Sequence, residues 1–189
     1  MEFAEDYRNQ VLDAIRTIDT SLVGQVIEWF REARREGRHI FVCGNGGSAV
    51  TATHFACDIN KGASYSRDLR FKMIALTDSL ATLTAYSNDV GYECVFAEQL
   101  KNFAGPGDIV MAISGSGNSP NVLRAVEYAN SIGCKTVALT GRDGGKLGPL
   151  ANVNIRVPVR HMGRIEDAHM VICHMIGYYF MDADGVCSA

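Results

Sequence analysis

The sequence predicts an α/β protein: a three-layer, doubly wound sheet of five parallel strands in the order 2-1-3-4-5, with helices ahead of the first strand. Three observations carry that expectation. Short apolar runs rich in β-branched residues alternate with stretches whose apolar residues recur every three or four positions, as strands joined by crossover helices do. Two of those runs end in Gly/Ser-rich loops that lead directly into helices, Gly44-Asn45-Gly46-Gly47-Ser48 and Ser114-Gly115-Ser116-Gly117-Asn118-Ser119. The length, 189 residues, is enough to bury one well-filled core, so residues 1–189 are expected to form one domain, with 1–36 as a helical extension.

Taken in order, Phe3, Tyr7, Val11, Ile15, Ile18 and Leu22 make an apolar stripe at steps of four and three. Val26, Ile27 and Phe30 continue it with Trp29 alongside, so residues 3–36 read as helical. Asp19-Thr20-Ser21 offers a cap that divides this stretch in two. With no strand before it, the stripe must be covered by the sheet, by another subunit, or by both. Residues 38–43 form the first strand, and a helix covers about 48–60. Residues 70–76 are the second strand, ending at Thr77-Asp78-Ser79. A helix over 79–86 leads into Ser87-Asn88-Asp89, and another covers about 92–103. The turn Gly105-Pro106-Gly107 sets up the third strand, 108–113. Ser119 and Pro120 suit the N-cap and first position of the next helix, whose apolar residues are Val122, Leu123, Val126 and Ala129. Residues 135–139 and 154–157 are the fourth and fifth strands, and 164–182 a long closing helix.

Composition narrows the function classes. Hydrophobic residues make up 47% and charged residues 21%, as in ordinary globular proteins. A formal net charge of -3 and the lack of a basic patch argue against nucleic acid as the main partner. The acidic start, Met1-Glu2-Phe3-Ala4-Glu5-Asp6, is unlike a secretory leader, and no apolar run approaches the ~18 residues of a membrane span. The cysteines Cys43, Cys57, Cys94, Cys134, Cys173 and Cys187 show no C-x-x-C spacing and mostly sit in apolar runs. That pattern fits buried, reduced thiols, so the expected compartment is the cytoplasm.

The third strand, its loop and the following helix suit an anion. Glycines let backbone N–H groups approach closely, and a helix N-terminus adds free donors and a positive dipole end. Ser114, Ser116 and Ser119 add hydroxyls. No Lys-Ser/Thr pair follows the glycines and G-x-G-x-x-G is absent, so neither a Walker A loop nor a dinucleotide loop is present. Neutral donors of this kind suit a phosphate monoester on a small molecule. In the predicted strand order the two Gly/Ser loops follow neighbouring strands at the point where the winding reverses, where ligands bind in such sheets. His54 and Asp58 are four apart on a helix, and Glu166 and His174 are eight apart on another, so each pair falls roughly on one face. Two imidazoles and two carboxylates can hold a divalent cation such as zinc, or can be structural and surface residues.

In combination these motifs resemble a known family. Cys43-Gly44-Asn45-Gly46-Gly47-Ser48 with His54-Phe55-Ala56, then Ser87-Asn88-Asp89, Ala112-Ile113-Ser114-Gly115-Ser116-Gly117-Asn118-Ser119, Leu139-Thr140-Gly141-Arg142-Asp143-Gly144-Gly145, and Arg164-Ile165-Glu166-Asp167-Ala168-His169 with His174 are similar to the phosphoheptose isomerases. The likeness runs in order across nearly the whole chain. It implies the sugar isomerase (SIS) fold, a flavodoxin-like arrangement, and a cytoplasmic homotetramer with active sites between subunits and the N-terminal helices in the assembly. It implies conversion of sedoheptulose 7-phosphate to D-glycero-D-manno-heptose 7-phosphate, a precursor of bacterial surface heptose. It also implies roles: Asn45, Gly46, Gly47, Ser48, Asn88 and Asp89 toward the substrate chain, and Ser114, Gly115, Ser116 and Ser119 toward its phosphate. His54, Asp58, Glu166 and His174 take the metal positions, with Asp58 where the family has its base and His174 where it has its general acid. Aldose–ketose isomerisation moves a proton between C1 and C2 through an enediol, for which a carboxylate and an imidazole are suitable groups.

Three positions depart from the family pattern. Asp58 stands for Glu, Glu166 for Gln, and Gly115 for the usual Thr. Asp is one methylene short, and a base displaced by ~1 Å can cost ~10²-fold in rate. Either Asp58 remains the base or the carboxylate has moved to Glu166. The changes could also mark another sugar phosphate, or a non-catalytic SIS protein that binds a phosphosugar or a protein partner; retention of both His54 and His174 argues against the last.

Overall fold

The computed structural model describes residues 2–184. Its five strands are β1 (His39–Gly44), β2 (Lys72–Ala75), β3 (Ile109–Ser114), β4 (Lys135–Gly141) and β5 (Val153–Val157), all parallel in the order β2-β1-β3-β4-β5. The eight helices are α1 (Glu2–Arg16), α2 (Thr20–Glu36), α3 (Gly47–Cys57), α4 (Leu80–Asp89), α5 (Val95–Phe103), α6 (Pro120–Ser131), α7 (Leu147–Leu150) and α8 (Met162–Tyr178).

The strands are buried on both faces, which is why they read as unbroken apolar runs. Ile40, Val42, Ile109, Met111 and Ile113 pack with Val26, Phe30, Phe55, Ile172 and Ile176 of α2, α3 and α8. Phe41, Cys43, Val110 and Ala112 face the opposite way, onto Val95, Leu100, Val122 and Val126 of α5 and α6. Each such side chain contributes roughly 1.5–3 kcal/mol by leaving water, so the three layers follow from the alternation along β1 and β3.

The expected cap between the first helices is present. The Asp19 carboxylate accepts from the N–H groups of Ser21 and Leu22 and starts α2. Other boundaries differ from expectation for identifiable reasons. β2 is four residues long, because it is an edge strand and only Lys72–Ala75 pair with β1. The helix after the first Gly-rich loop stops at Cys57 and widens into a π turn, Asp58–Gly62, closed by Ala63 N–H donating to Asp58 O at 2.9 Å. Ser87, Asn88 and Asp89 are the last turn of α4 rather than a loop beyond it. Residues 92–94 form a 3₁₀ turn before α5, and the short α7 had no periodicity to announce it. On α1 only Ala14 is buried, while Phe3 and Leu12 stay exposed, so within one chain its stripe is covered only in part. The described cysteines are free thiols; Cys43, Cys94, Cys134 and Cys173 are buried and Cys57 is exposed, while Cys187 lies outside the described residues. Among the described residues no helix is long and apolar enough to cross a membrane.

Candidate active site

The loops after β1 and β3 meet, as adjacent parallel strands require. They are tied by a reciprocal amide pair: Asn45 Nδ2 donates to Asn121 Oδ1 at 2.9 Å, and Asn121 Nδ2 donates back to Asn45 Oδ1 at 2.8 Å. Tyr92 donates its hydroxyl to the same Asn45 oxygen at 2.7 Å. Asn121 is 1% exposed, so its amide is held by this pair rather than by water. The sequence reading missed Asn121 and Tyr92. Only the position of Asn121, second residue of the helix facing the first loop, could have pointed to it.

Between the loops lies a cavity of about 280 Å³ lined by Asn45, Gly46, Gly47, Ser48, Ser114, Gly115, Ser116, Ser119, Met162 and Glu166. Gly46 has φ +55°, a conformation that costs glycine nothing. Ser114 Oγ lies 3.3 Å from Ser119 Oγ and accepts from Gly117 N–H at 3.2 Å, while Ser116 Oγ accepts from Asn118 N–H at 3.2 Å. Ser119 does occupy the N-cap of α6, with Pro120 next. Its hydroxyl makes no capping bond, however, and turns toward Ser114 instead. Three hydroxyls and the N-terminus of a 12-residue helix thus face one space, the arrangement that suits a phosphate. Gly115 leaves room for Met162: a β-carbon there would lie 2.6 Å from the Met162 sulfur. Met162 too was missed from sequence, because it joins the site from a helix 47 residues away.

A second cluster gathers at the C-terminal end of α3. Asp58 Oδ2 lies 3.4 Å from His54 Nε2 and 3.7 Å from His174 Nε2, and ligand atoms of all three residues fall within 4.8 Å of one another. The two imidazoles meet edge to face, ring centres 5.2 Å apart. Asp58 Oδ2 is buried and has no hydrogen-bond partner. A buried carboxylate oxygen in that state is costly unless a cation or proton faces it, and two imidazole nitrogens complete a donor set that suits a borderline divalent metal. Beside it, burial, with the Asp58 charge second, pushes the Cys173 thiol far up, so it stays a neutral core residue.

Glu166 does not join that cluster. A helix rises about 1.5 Å per residue, so the eight residues to His174 span about 12 Å. His174 meets Asp58 just past the last turn of α3 and Glu166 meets Gly47 at its first, so α8 runs along α3 in the same direction. The Glu166 carboxylate sits against Gly47, where a β-carbon would meet Oε1 at 2.5 Å. Of the four expected residues, His54, Asp58 and His174 lie together within one chain, and the Glu166 carboxylate lines the serine-loop cavity. Asn88 and Asp89 do not line that cavity within one chain. They are exposed at the end of α4, Asn88 Nδ2 donating to Asp89 Oδ1 at 2.8 Å. Behind the site His169 is fully buried, with Nε2 3.1 Å from Thr140 O; burial pulls its pKa down to about 4.

The family profile described as "SIS domain" matches residues 3–141. A phosphoheptose isomerase of Aliarcobacter butzleri is 44% identical over 146 residues, 77% of this chain and 76% of the relative. A probable phosphoheptose isomerase of Thermoplasma volcanium is 39% identical over 171 residues, 90% and 87% of the two chains. The solved structure of a phosphoheptose isomerase from Francisella tularensis superposes with a TM-score of 0.88 at 31% identity, covering 95% of this chain and 96% of that one.

Proposed function

The chain belongs to the phosphoheptose isomerases of the SIS-domain family, and on that footing we propose that it interconverts sedoheptulose 7-phosphate and D-glycero-D-manno-heptose 7-phosphate through an enediol, supplying a heptose precursor. The observation that carries the reading is the placement of the serine-loop cavity and the His54–Asp58–His174 cluster at the two ends of one helix, α3. In this reading Ser114, Ser116, Ser119 and the backbone at Gly115 hold the phosphate. Asn45, Gly46, Gly47 and Ser48 flank the sugar chain.

His54, Asp58 and His174 would hold a divalent metal, with zinc the best match to two imidazoles and a carboxylate. When bound it supplies positive charge to polarise the substrate carbonyl. The two carboxylates divide the work. Asp58, beside the imidazoles at the carbonyl end of the extended substrate, removes the proton from the carbon next to the carbonyl and returns it to the neighbouring carbon, while Glu166, in the serine-loop cavity, holds the hydroxyls of the sugar chain in position. His174, at the edge of the cluster, exchanges the oxygen-bound proton.

The exposed stripe on α1 and an α4 with no buried residue support a homotetramer. In it Asn88 and Asp89 reach a neighbouring chain's cavity, and residues 1–189 act as a single SIS domain with the cytoplasm as its compartment. The test incubates purified protein with sedoheptulose 7-phosphate, with and without chelator, and follows the aldose product and solvent proton exchange at C2. Absence of both with metal present would overturn the reading.

A further inference from the structure

A larger cavity, about 730 Å³, opens on the other side of the serine loop, between the ends of β4 and β5. The guanidiniums of Arg142, Arg156 and Arg160 line it. Among the described residues none of the three has a carboxylate partner, as is also true of Arg35, Arg67, Arg70 and Arg164; what sets these three apart is that they converge on one cavity. The lining holds one carboxylate, Asp143, whose Oδ1 is engaged by Gly145 N–H at 3.1 Å. Three exposed cations against one carboxylate, in a chain of net charge -3, make a local positive patch that attracts anions.

The walls are fixed rather than loose. Arg142 N–H donates to Val159 O at 3.2 Å, Lys146 N–H to Asn118 Oδ1 at 3.2 Å, and Leu147 N–H to Gly117 O at 2.9 Å. Gly117 packs so closely on the Gly144 carbonyl that no side chain would fit. Arg142 itself holds φ +53°, which residues other than glycine rarely adopt. The loop thus sacrifices backbone comfort at the one arginine it carries into the cavity.

We propose that this cavity is a second anion site, taking the diphosphate group of a ligand distinct from the sugar phosphate. Three planar forks can each grip two oxygens, which the five non-bridging oxygens of an esterified diphosphate or the six of free pyrophosphate nearly or fully occupy and the four of inorganic phosphate do not. The volume leaves room for a nucleotide-sized remainder. The two cavities share only Ser116, and none of the three arginines belongs to the serine-loop cavity or to the histidine cluster, so a sugar phosphate extended from the one toward the other leaves the arginines free.

The site goes beyond the isomerase reading and is tested by binding alone. Calorimetric titration of the full-length, metal-loaded protein with pyrophosphate is run for wild type and for Arg156→Gln/Arg160→Gln, with and without saturating sedoheptulose 7-phosphate. The expected result is one pyrophosphate per chain, affinity independent of the sugar phosphate, and a loss of roughly 100-fold in the variant. Inorganic phosphate should bind at least ~10-fold more weakly, the isomerase KM should be unchanged in the variant, and binding should weaken as salt rises. Equal affinity in wild type and variant, no pyrophosphate binding, or competition with the sugar phosphate would each overturn the proposal.

Discussion

The carboxylate of Glu166 lies where a β-carbon of Gly47 would be, 2.5 Å from the position that carbon would take. Glycine at the first position of α3 is what lets a carboxylate from α8 reach the substrate cavity. Gly47 has a negative φ and is free of backbone strain, so alanine there should fold normally while displacing Glu166. Gly47→Ala should lower kcat by about 10²-fold with thermal stability nearly unchanged, and Glu166→Gln should lower it at least as far. Wild-type kcat in Gly47→Ala, measured beside its melting curve, would detach Glu166 from the reaction.

Asp58 should separate from Glu166 by its metal dependence. Asp58→Asn should weaken zinc binding at least ~100-fold by calorimetry, and Glu166→Gln should not. In the presence of chelator the sign reverses for folding: Asp58 Oδ2 is buried without a partner, so the neutral variant should be as stable as wild type or more so. Equal zinc affinity in wild type and Asp58→Asn would remove Asp58 from the metal site.

The serine loop should act on binding. Ser116→Ala/Ser119→Ala removes two hydroxyls facing the cavity, each worth about 1.5–3 kcal/mol when bonded to a charged phosphate. The variant should raise KM by at least ~100-fold and change kcat much less. Initial-rate kinetics with an unchanged KM would move the phosphate elsewhere.

His169 should make the fold acid-sensitive. Burial holds it neutral down to about pH 4, whereas the unfolded chain takes up the proton near pH 6.5. The unfolded state therefore binds more protons between those values. Stability should fall as pH drops through that window, by on the order of 3 kcal/mol at its foot. His169→Gln keeps a donor for the Thr140 carbonyl and should lose less stability than wild type between pH 7 and pH 4.5. Urea unfolding at both pH values reads the difference; equal losses would assign the effect to other groups.

Alternating apolar residues in β1 and β3, the helical stripes and the two Gly/Ser loops determined the strands, the helices and the phosphate-type corner. All of these are written in neighbours a few positions apart, where backbone geometry repeats every two or 3.6 residues. The pairing of His54 with Asp58 was legible for the same reason, being one helical turn. Only the tertiary structure decided that Glu166 serves the opposite end of α3 from His174, that Asn121 and Tyr92 lock Asn45, and that Met162 fills the space Gly115 leaves. Those relationships join residues 47 to 119 positions apart. They depend on how far one helix slides along another, which packing of the whole core sets and no local repeat records.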